Sequence, residues 1–303
     1  MLNAAQIHGL IQGLPAIHVL KNSPKDYVDD FVVTALEVYP QSKLQKVLQD
    51  KFLIPDTSNY SDEKYFQSAS ELSVSRYLKQ TEKENLIGDL AFEEMVNPKN
   101  QKDVDNFFRV KAKNVSIEVK CPFEEKPTGE LTMQTAGRIP DPVGNYNSMK
   151  QAIKSGKSGK DLRQGKNPDN RLKDCLLSAN EKFSDESSFD DLNILFVSCG
   201  YFHDINHWYM CLHAGEGLFT NAPFEAPEHY QNVDLVILSN LKYRHEYARD
   251  YSLWGLDDVF LLPIINPHGR SSCVGDSVKK GLSIFHQRLR RTRTDISKQL
   301  KRR

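Results

Sequence analysis

The chain has 303 residues with a formal net charge of zero, and 39% of its residues are hydrophobic and 26% charged. This composition supports a packed core and excludes wholesale disorder. No apolar run approaches the roughly 18 residues that a membrane span needs, and the amino terminus lacks the basic region and apolar core of a signal peptide. The five cysteines include no CxxC pair, which argues against a disulfide framework or a structural zinc site. We therefore expect a cytoplasmic protein with no membrane partner.

Helical spacing of apolar residues is found in the first part of the chain. One helix is predicted to end before Pro40, and a second, shorter helix before Pro55. After a polar turn, a longer helix is predicted from about Asp62 to Lys83. We interpret residues 1–60 as a helical N-terminal extension and residues 61–270 as the core of the protein.

The residue period changes to two in the segment that ends at Lys120, where apolar and polar side chains alternate. The polar sequence KAKN separates this strand from the preceding apolar segment DNFFRV. A β-hairpin is the simplest interpretation. With residues 111–114 as a four-residue turn, Val110 would pair with Val115.

This hairpin would bring three charged side chains together. In the predicted register Asp105 lies opposite Lys120, and Glu118 lies two residues earlier on the same strand as Lys120. Because opposed residues project to the same face of a sheet, the three side chains converge, and the apolar residues between them point to the other face. A slip of one residue would separate them, so the prediction depends on the register.

Two carboxylates beside an ammonium group have a specific chemical use. Buried together without a ligand they would be unfavourable, but paired carboxylates suit a hard divalent cation such as Mg²⁺. Such a cation polarises a phosphodiester and lowers the pKa of a bound water. A lysine beside that water can orient it and stabilise the charge that develops on the phosphate.

The motif itself resembles that of a known family. The pattern consists of Asp105, twelve intervening residues and then Glu118-Val119-Lys120 at the end of an apolar strand. This pattern is similar to the motif of the PD-(D/E)xK nuclease superfamily. Its members have the restriction-endonuclease-like fold, with a helix, a hairpin that carries the motif, and further helices and strands, and the resemblance covers roughly residues 62–240. It implies that Asp105, Glu118 and the main-chain carbonyl of Val119 bind the metal, and that Lys120 positions the attacking water.

The resemblance extends to the helix before the hairpin and has one departure. Many family members carry a glutamate on that helix, and Glu71 stands at the corresponding place, where it would support a metal or its water. Val104 stands where the family often has a proline before the aspartate. Asp103 has the same parity as Asp105 and is the alternative ligand. The cofactor that the resemblance implies is Mg²⁺, with Mn²⁺ able to substitute.

Helices and apolar strands alternate in the second half of the chain. Helices are predicted over 171–183 and 204–215, and buried strands over 192–199, 233–240 and 258–265. A hairpin followed by helices and parallel-type strands predicts an α/β fold with a mixed central sheet and helices on both faces.

The zero net charge conceals two basic segments. Residues 150–173 hold eight Lys or Arg against two Asp, and residues 286–303 hold eight against one. The first lies partly in a predicted surface excursion over 124–170, and the second in a predicted basic C-terminal helix over 271–303. Such segments suit an anionic polymer, although a solvated loop and a frayed tail are equally common explanations.

Together these features predict a Mg²⁺-dependent endonuclease that acts on DNA; a setting in restriction or defence follows from analogy of fold only. Two alternatives stay open: a catalytically silent nucleic-acid-binding module of the same fold, and an interaction protein whose basic C-terminal helix binds a protein partner. A homo-oligomer is a further alternative for that helix. The sequence does not distinguish DNA from RNA or single from double strands.

Overall fold

The computed structural model of the chain describes residues 1–122, 132–134, 163–165, 168–184, 191–249, 254–256 and 259–270. Most of the predicted excursion at 124–170, most of the first basic segment and the whole predicted helix at 271–303 lie outside these residues. The prediction of a basic C-terminal helix therefore stays a prediction.

The amino-terminal part is helical, as its periodicity predicts. After helix α1 and a 3₁₀ turn at Leu20–Asn22, helices α2 and α3 follow, and α3 continues into a π-helical turn at Leu48–Phe52. The bounds of the α-helices are α1 Ala4–Gln12, α2 Lys25–Val38, α3 Gln41–Val47 and α4 Asp62–Lys83. Helix α4 has the bounds that the sequence predicts, and Ser61 caps it by accepting a hydrogen bond from the Lys64 amide.

A six-stranded mixed sheet forms the centre of the molecule, with the strand order β1-β2-β3-β6-β7-β8. The strands are β1 Gly88–Glu94, β2 Val104–Val110, β3 Lys113–Lys120, β6 Leu192–Ser198, β7 Leu235–Ser239 and β8 Leu261–Ile265. A short parallel pair, β4 Thr132–Gln134 and β5 Arg163–Gly165, is separate. The remaining helices are α5 Pro168–Lys182, α6 Phe202–His213 and α7 Leu241–Tyr247, with a 3₁₀ turn at Pro227–His229.

The α/β class and the mixed sheet are confirmed, but two strand predictions need correction. Strands β3, β6 and β7 are parallel, whereas β8, predicted as parallel-type, runs antiparallel to β7. Strand β1 at the sheet edge was not predicted, because its sequence GDLAFEE is half polar, its ends are exposed and its pairing with β2 shifts between Gly88 and Ala91. An edge strand buries too little to show a clear period of two.

Helices cover both faces of the sheet. Helix α4 packs through Val74 and Leu78 against the face that carries Ile117 and Val119 of β3. Helices α5 and α6 cover the opposite face, which carries Leu195 of β6. The amino-terminal helices share a separate buried cluster with the first half of α4. None of the helices in the described ranges has both the length and the apolar composition of a membrane span.

The hairpin register differs from the predicted one by two residues. Val110 pairs with Lys113, not with Val115, so the turn is the two-residue segment Lys111–Ala112. Lys111 adopts a φ of 60°, the left-handed conformation that tight hairpin turns require. Because the shift is even, the side chains of the paired residues 106–110 and 113–117 keep the predicted face of the sheet. Val104, before the paired part, is an exception: it lies in the buried cluster on the face opposite to that of Phe108.

Candidate active site

The carboxylate of Glu118 is the most deeply buried charge of the hairpin. Glu118 pairs with Leu195 of the neighbouring parallel strand, so its side chain lies on the face covered by α5 and α6. Only 1% of the side chain is exposed, and Oε1 lies 2.7 Å from Nζ of Lys120. Burial alone would lower the pKa of Lys120, but the carboxylates of Glu118 and Asp105 outweigh this and raise it.

A second lysine binds the same carboxylate from another element. Lys182, in the last turn of α5, places Nζ 2.7 Å from Oε1 and 2.9 Å from Oε2 of Glu118. A buried carboxylate is costly unless it is paired, and two ammonium groups meet that need here. Glu118 therefore lies between a lysine of its own strand and a lysine of the covering helix.

Asp105 lies beside this group. Its Oδ2 accepts a hydrogen bond from the amide of Val119 at 2.6 Å, just beyond the last backbone pair of the hairpin. Burial raises the pKa of Asp105 well above its usual value, and the carboxylates of Glu71 and Glu118 raise it further. In the part of the chain that the structure describes, no lysine or arginine forms an ion pair with Asp105.

Helix α4 contributes Glu71 on the other side of Asp105. Oε2 of Glu71 lies 3.0 Å from Nζ of Lys51, which also lies 2.9 Å from Oε1 of Glu93 on strand β1. Glu71 lies close enough to Asp105 for its carboxylate to raise the pKa of Asp105. That Glu71 supports a metal or its water stays a prediction.

Gln67 joins α4 to the end of β3. Its Nε2 donates to Oε1 of Glu71 and to the carbonyl of Val119, each at 2.8 Å, and its Oε1 accepts from the amide of Cys121 at 2.7 Å. The Val119 carbonyl, a predicted metal ligand, is therefore already an acceptor in this structure.

Asp105 and Lys120 thus both lie within electrostatic reach of Glu118, although the register of β2 and β3 is not the predicted one. The pairs of β2 and β3 end with Asn106 and Ile117, so Asp105 lies beyond the paired part and is not paired with Lys120 as predicted. Asp103, the alternative ligand, is exposed, and no hydrogen bond or ion pair within the described ranges links it to the other carboxylates.

Three contributors to this cluster were not identified from the sequence: Lys182, Gln67 and Lys51. Gln67 had a detectable signal, because it precedes Glu71 by four residues and so shares its helix face. Lys182 and Lys51 had none, since their contacts with Glu118 and Glu71 depend on how separate helices pack.

A cleft lies beside strand β1, and Asp105, Glu118 and Lys120 are not among its lining residues. It has a volume of about 610 Å³, and Tyr39, Phe92 and Glu93 are among its lining residues. Burial raises the pKa of Tyr39, and Lys51 opposes this rise while Glu71, Glu93 and Asp105 add to it. The phenol of Tyr39 therefore lies within electrostatic reach of the candidate site.

Three exposed tyrosines lie at the same edge of the sheet. Tyr201 follows β6, and Tyr243 and Tyr247 lie on α7, which follows β7. Their ring centroids are 5.1 to 6.0 Å apart, and the hydroxyls of Tyr201 and Tyr247 are hydrogen-bonded. Since β3, β6 and β7 are parallel, this tyrosine cluster and the end of β3 share the edge where these strands finish.

The side chains of this cluster meet only some of the requirements of a divalent-cation site. Across the described residues there is no group of three or more His, Cys, Asp or Glu side chains arranged to hold a metal. Asp105 and Glu118 supply two carboxylates, which suffices for Mg²⁺, an ion that retains several waters. The raised pKa of Asp105 fits a cation site, because a divalent cation would stabilise the ionised form that the protein alone disfavours.

Comparisons of the chain with protein-family models, curated proteins and solved structures give no match. The functional argument therefore depends on the geometry of these residues.

Proposed function

We propose that the chain is a metal-dependent nuclease that hydrolyses DNA phosphodiester bonds with Mg²⁺, or with Mn²⁺ in its place. One observation carries this proposal: Asp105, Glu118 and Lys120 meet where paired strands β2 and β3 reach one edge of the sheet. The three residue types, and the two hairpin strands that carry them, are those that the PD-(D/E)xK motif predicts.

The roles follow from the positions of these side chains. Asp105, Glu118 and the main-chain carbonyl of Val119 would hold the cation, which when bound polarises the phosphodiester and lowers the pKa of a water. Lys120, with 24% of its side chain exposed, can reach both this water and a phosphate oxygen. Its positive charge stabilises the charge that develops on the phosphate. Gln67 holds the end of β3 in place through Val119 and Cys121, and Glu71 would support the cation or its water.

The tyrosine cluster, formed by Tyr201, Tyr243 and Tyr247, supports a nucleic acid as substrate. Between 37% and 49% of each residue is exposed, so the three rings form an exposed aromatic patch. Exposed aromatic rings bind unpaired bases by stacking, with little dependence on sequence. Their position at the edge shared with Lys120 and Glu118 places such bases on the side of the sheet where cleavage would occur.

A catalytically silent nucleic-acid-binding module is the second candidate, and one observation favours it. Both oxygens of Glu118 bind lysines, both oxygens of Glu71 have donors, and the Val119 carbonyl accepts from Gln67. A protein that has lost its metal could keep its fold through such internal pairing.

A cleavage assay separates the two candidates. Supercoiled plasmid is incubated with Mg²⁺ or Mn²⁺ and with the wild type, Lys120→Ala, or Lys113→Ala as a control at the opposite end of the same strand. We expect cleavage by the wild type and by Lys113→Ala, and a loss of 10²-fold or more with Lys120→Ala, roughly the contribution of one electrostatic group.

The other outcomes are equally informative. Binding of DNA without cleavage by any of the three proteins would establish the silent module. Equal cleavage by the wild type and Lys120→Ala would show that the activity comes from another site or from a contaminant. Either result would overturn the nuclease assignment to this cluster.

A further inference from the structure

Lys182 is a feature of the site that the D…ExK pattern does not include. It comes from α5, more than sixty residues along the chain from Glu118, and contacts both oxygens of the carboxylate at 2.7 and 2.9 Å. Lys120, by comparison, follows Glu118 by two residues on one strand, so its proximity is a consequence of strand geometry. The Lys182 contact is specified by tertiary packing alone.

The two oxygens that Lys182 contacts are the ones that a divalent cation would need. An ammonium group donating to a carboxylate makes a strong, charge-assisted hydrogen bond, and the same lone pairs serve as metal ligands. Lys182 and a cation at Glu118 therefore exclude each other, at least in part. With 21% of its side chain exposed, Lys182 can leave Glu118 and reach the solvent.

We propose that Lys182 is an internal counter-ion that competes with the divalent cation for Glu118 and is released when its ammonium group binds a phosphate of the nucleic acid. This proposal depends on the proposed nuclease function. It makes metal and nucleic acid bind cooperatively, because the substrate removes the group that opposes the metal. Coupling of this kind is reciprocal: the metal also strengthens binding of the nucleic acid. Lys182 is then a positioning residue of the site.

Binding of Mn²⁺, measured by electron paramagnetic resonance of the free ion, tests this proposal without any measurement of cleavage. The proteins are the wild type, Lys182→Met, Lys182→Arg and Lys173→Met, each with and without a cleavage-resistant phosphorothioate DNA, and Glu118→Gln serves as the blank. Lys173 is a matched control, because it lies on the same helix, is 24% exposed and forms an ion pair with Glu225 instead.

The expected pattern is specific. Without DNA, Lys182→Met binds Mn²⁺ roughly tenfold more tightly than the wild type, the effect of losing one charged hydrogen bond. The wild type gains affinity for Mn²⁺ when DNA is added, and Lys182→Met gains little. Lys182→Arg keeps the positive charge and behaves as the wild type, as does Lys173→Met. A second neutral variant, Lys182→Gln, is measured in the same way and should behave as Lys182→Met, and thermal unfolding of each variant checks that it is folded.

The failures of this proposal and of the nuclease proposal differ. If Mn²⁺ binds the wild type through Glu118, but Lys182→Met and Lys182→Gln have unchanged affinity and the DNA effect persists, Lys182 is merely structural and the nuclease proposal stands. If no protein binds Mn²⁺ in excess of the Glu118→Gln blank, with or without DNA, both proposals are wrong.

Discussion

Gln67→Leu tests whether α4 holds the end of β3 in the way that the structure indicates. Leucine has a similar volume and favours helices, so the change removes mainly the hydrogen bonds of the amide. Three are lost: those to the Val119 carbonyl, the Cys121 amide and Glu71. Val119 and Cys121 are buried, with 0% and 6% exposure, so water does not readily replace their partner.

The expected loss can be worked from these contacts. Each buried backbone group that loses its partner costs about 1 kcal/mol, at the lower end of the usual range because Gln67 itself is only half-buried. The bond to Glu71 adds somewhat less, since Glu71 keeps its ion pair with Lys51. The free energy of unfolding should fall by about 2–3 kcal/mol.

Urea denaturation followed by circular dichroism measures this change, with the midpoint and slope fitted separately. Gln45→Leu, at an exposed position on α3, is the control and should change the free energy of unfolding by less than about 0.5 kcal/mol. A loss for Gln67→Leu as small as that of the control would refute the argument that Gln67 fixes the end of β3.

Three further predictions concern other parts of the molecule. Burial lowers the pKa of His245 to about 3. Below pH ~6.5 the histidine therefore takes up a proton in the unfolded chain but not in the folded one, and this difference lowers the free energy of unfolding by about 1.4 kcal/mol at pH ~5.5. Urea unfolding of His245→Gln should lack that part of the pH dependence. Because burial raises the pKa of Asp105, the folded protein favours the neutral carboxyl group. Ionisation of this group as the pH rises therefore lowers the free energy of unfolding. Asp105→Asn should therefore melt above the wild type at alkaline pH, with a difference that shrinks as the pH falls, and should not cleave DNA. Tyr247→Ala should weaken binding of single-stranded DNA roughly tenfold in fluorescence anisotropy.

Each of these has a result that would contradict it. An unchanged pH slope in His245→Gln would mean that this imidazole titrates normally in the folded protein. Asp105→Asn melting below the wild type at alkaline pH would mean that the carboxylate is stabilised by a cation. Tyr209→Ala, at another exposed tyrosine on α6, is the control for Tyr247→Ala; equal effects of the two would argue against a specific role of the tyrosine cluster.

Local periodicity was enough to predict most of the elements. Helix α4, the hairpin strands β2 and β3 and the buried strands β6 and β7 all follow from the spacing of apolar residues. The common face of Glu118 and Lys120 was also predictable, because it depends only on parity along one strand. An error of two residues in the register left that parity intact.

The tertiary structure alone decided what surrounds those side chains. The two-residue turn at Lys111–Ala112 depends on a left-handed backbone conformation that a lysine seldom adopts, so no residue type in this segment marks the turn. Lys182 reaches Glu118 only because α5 packs across the face of the sheet. The spacing of residues in the sequence specifies the face of a strand on which a side chain lies. A partner from a distant helix is specified by tertiary packing, which leaves no periodic pattern in the local sequence.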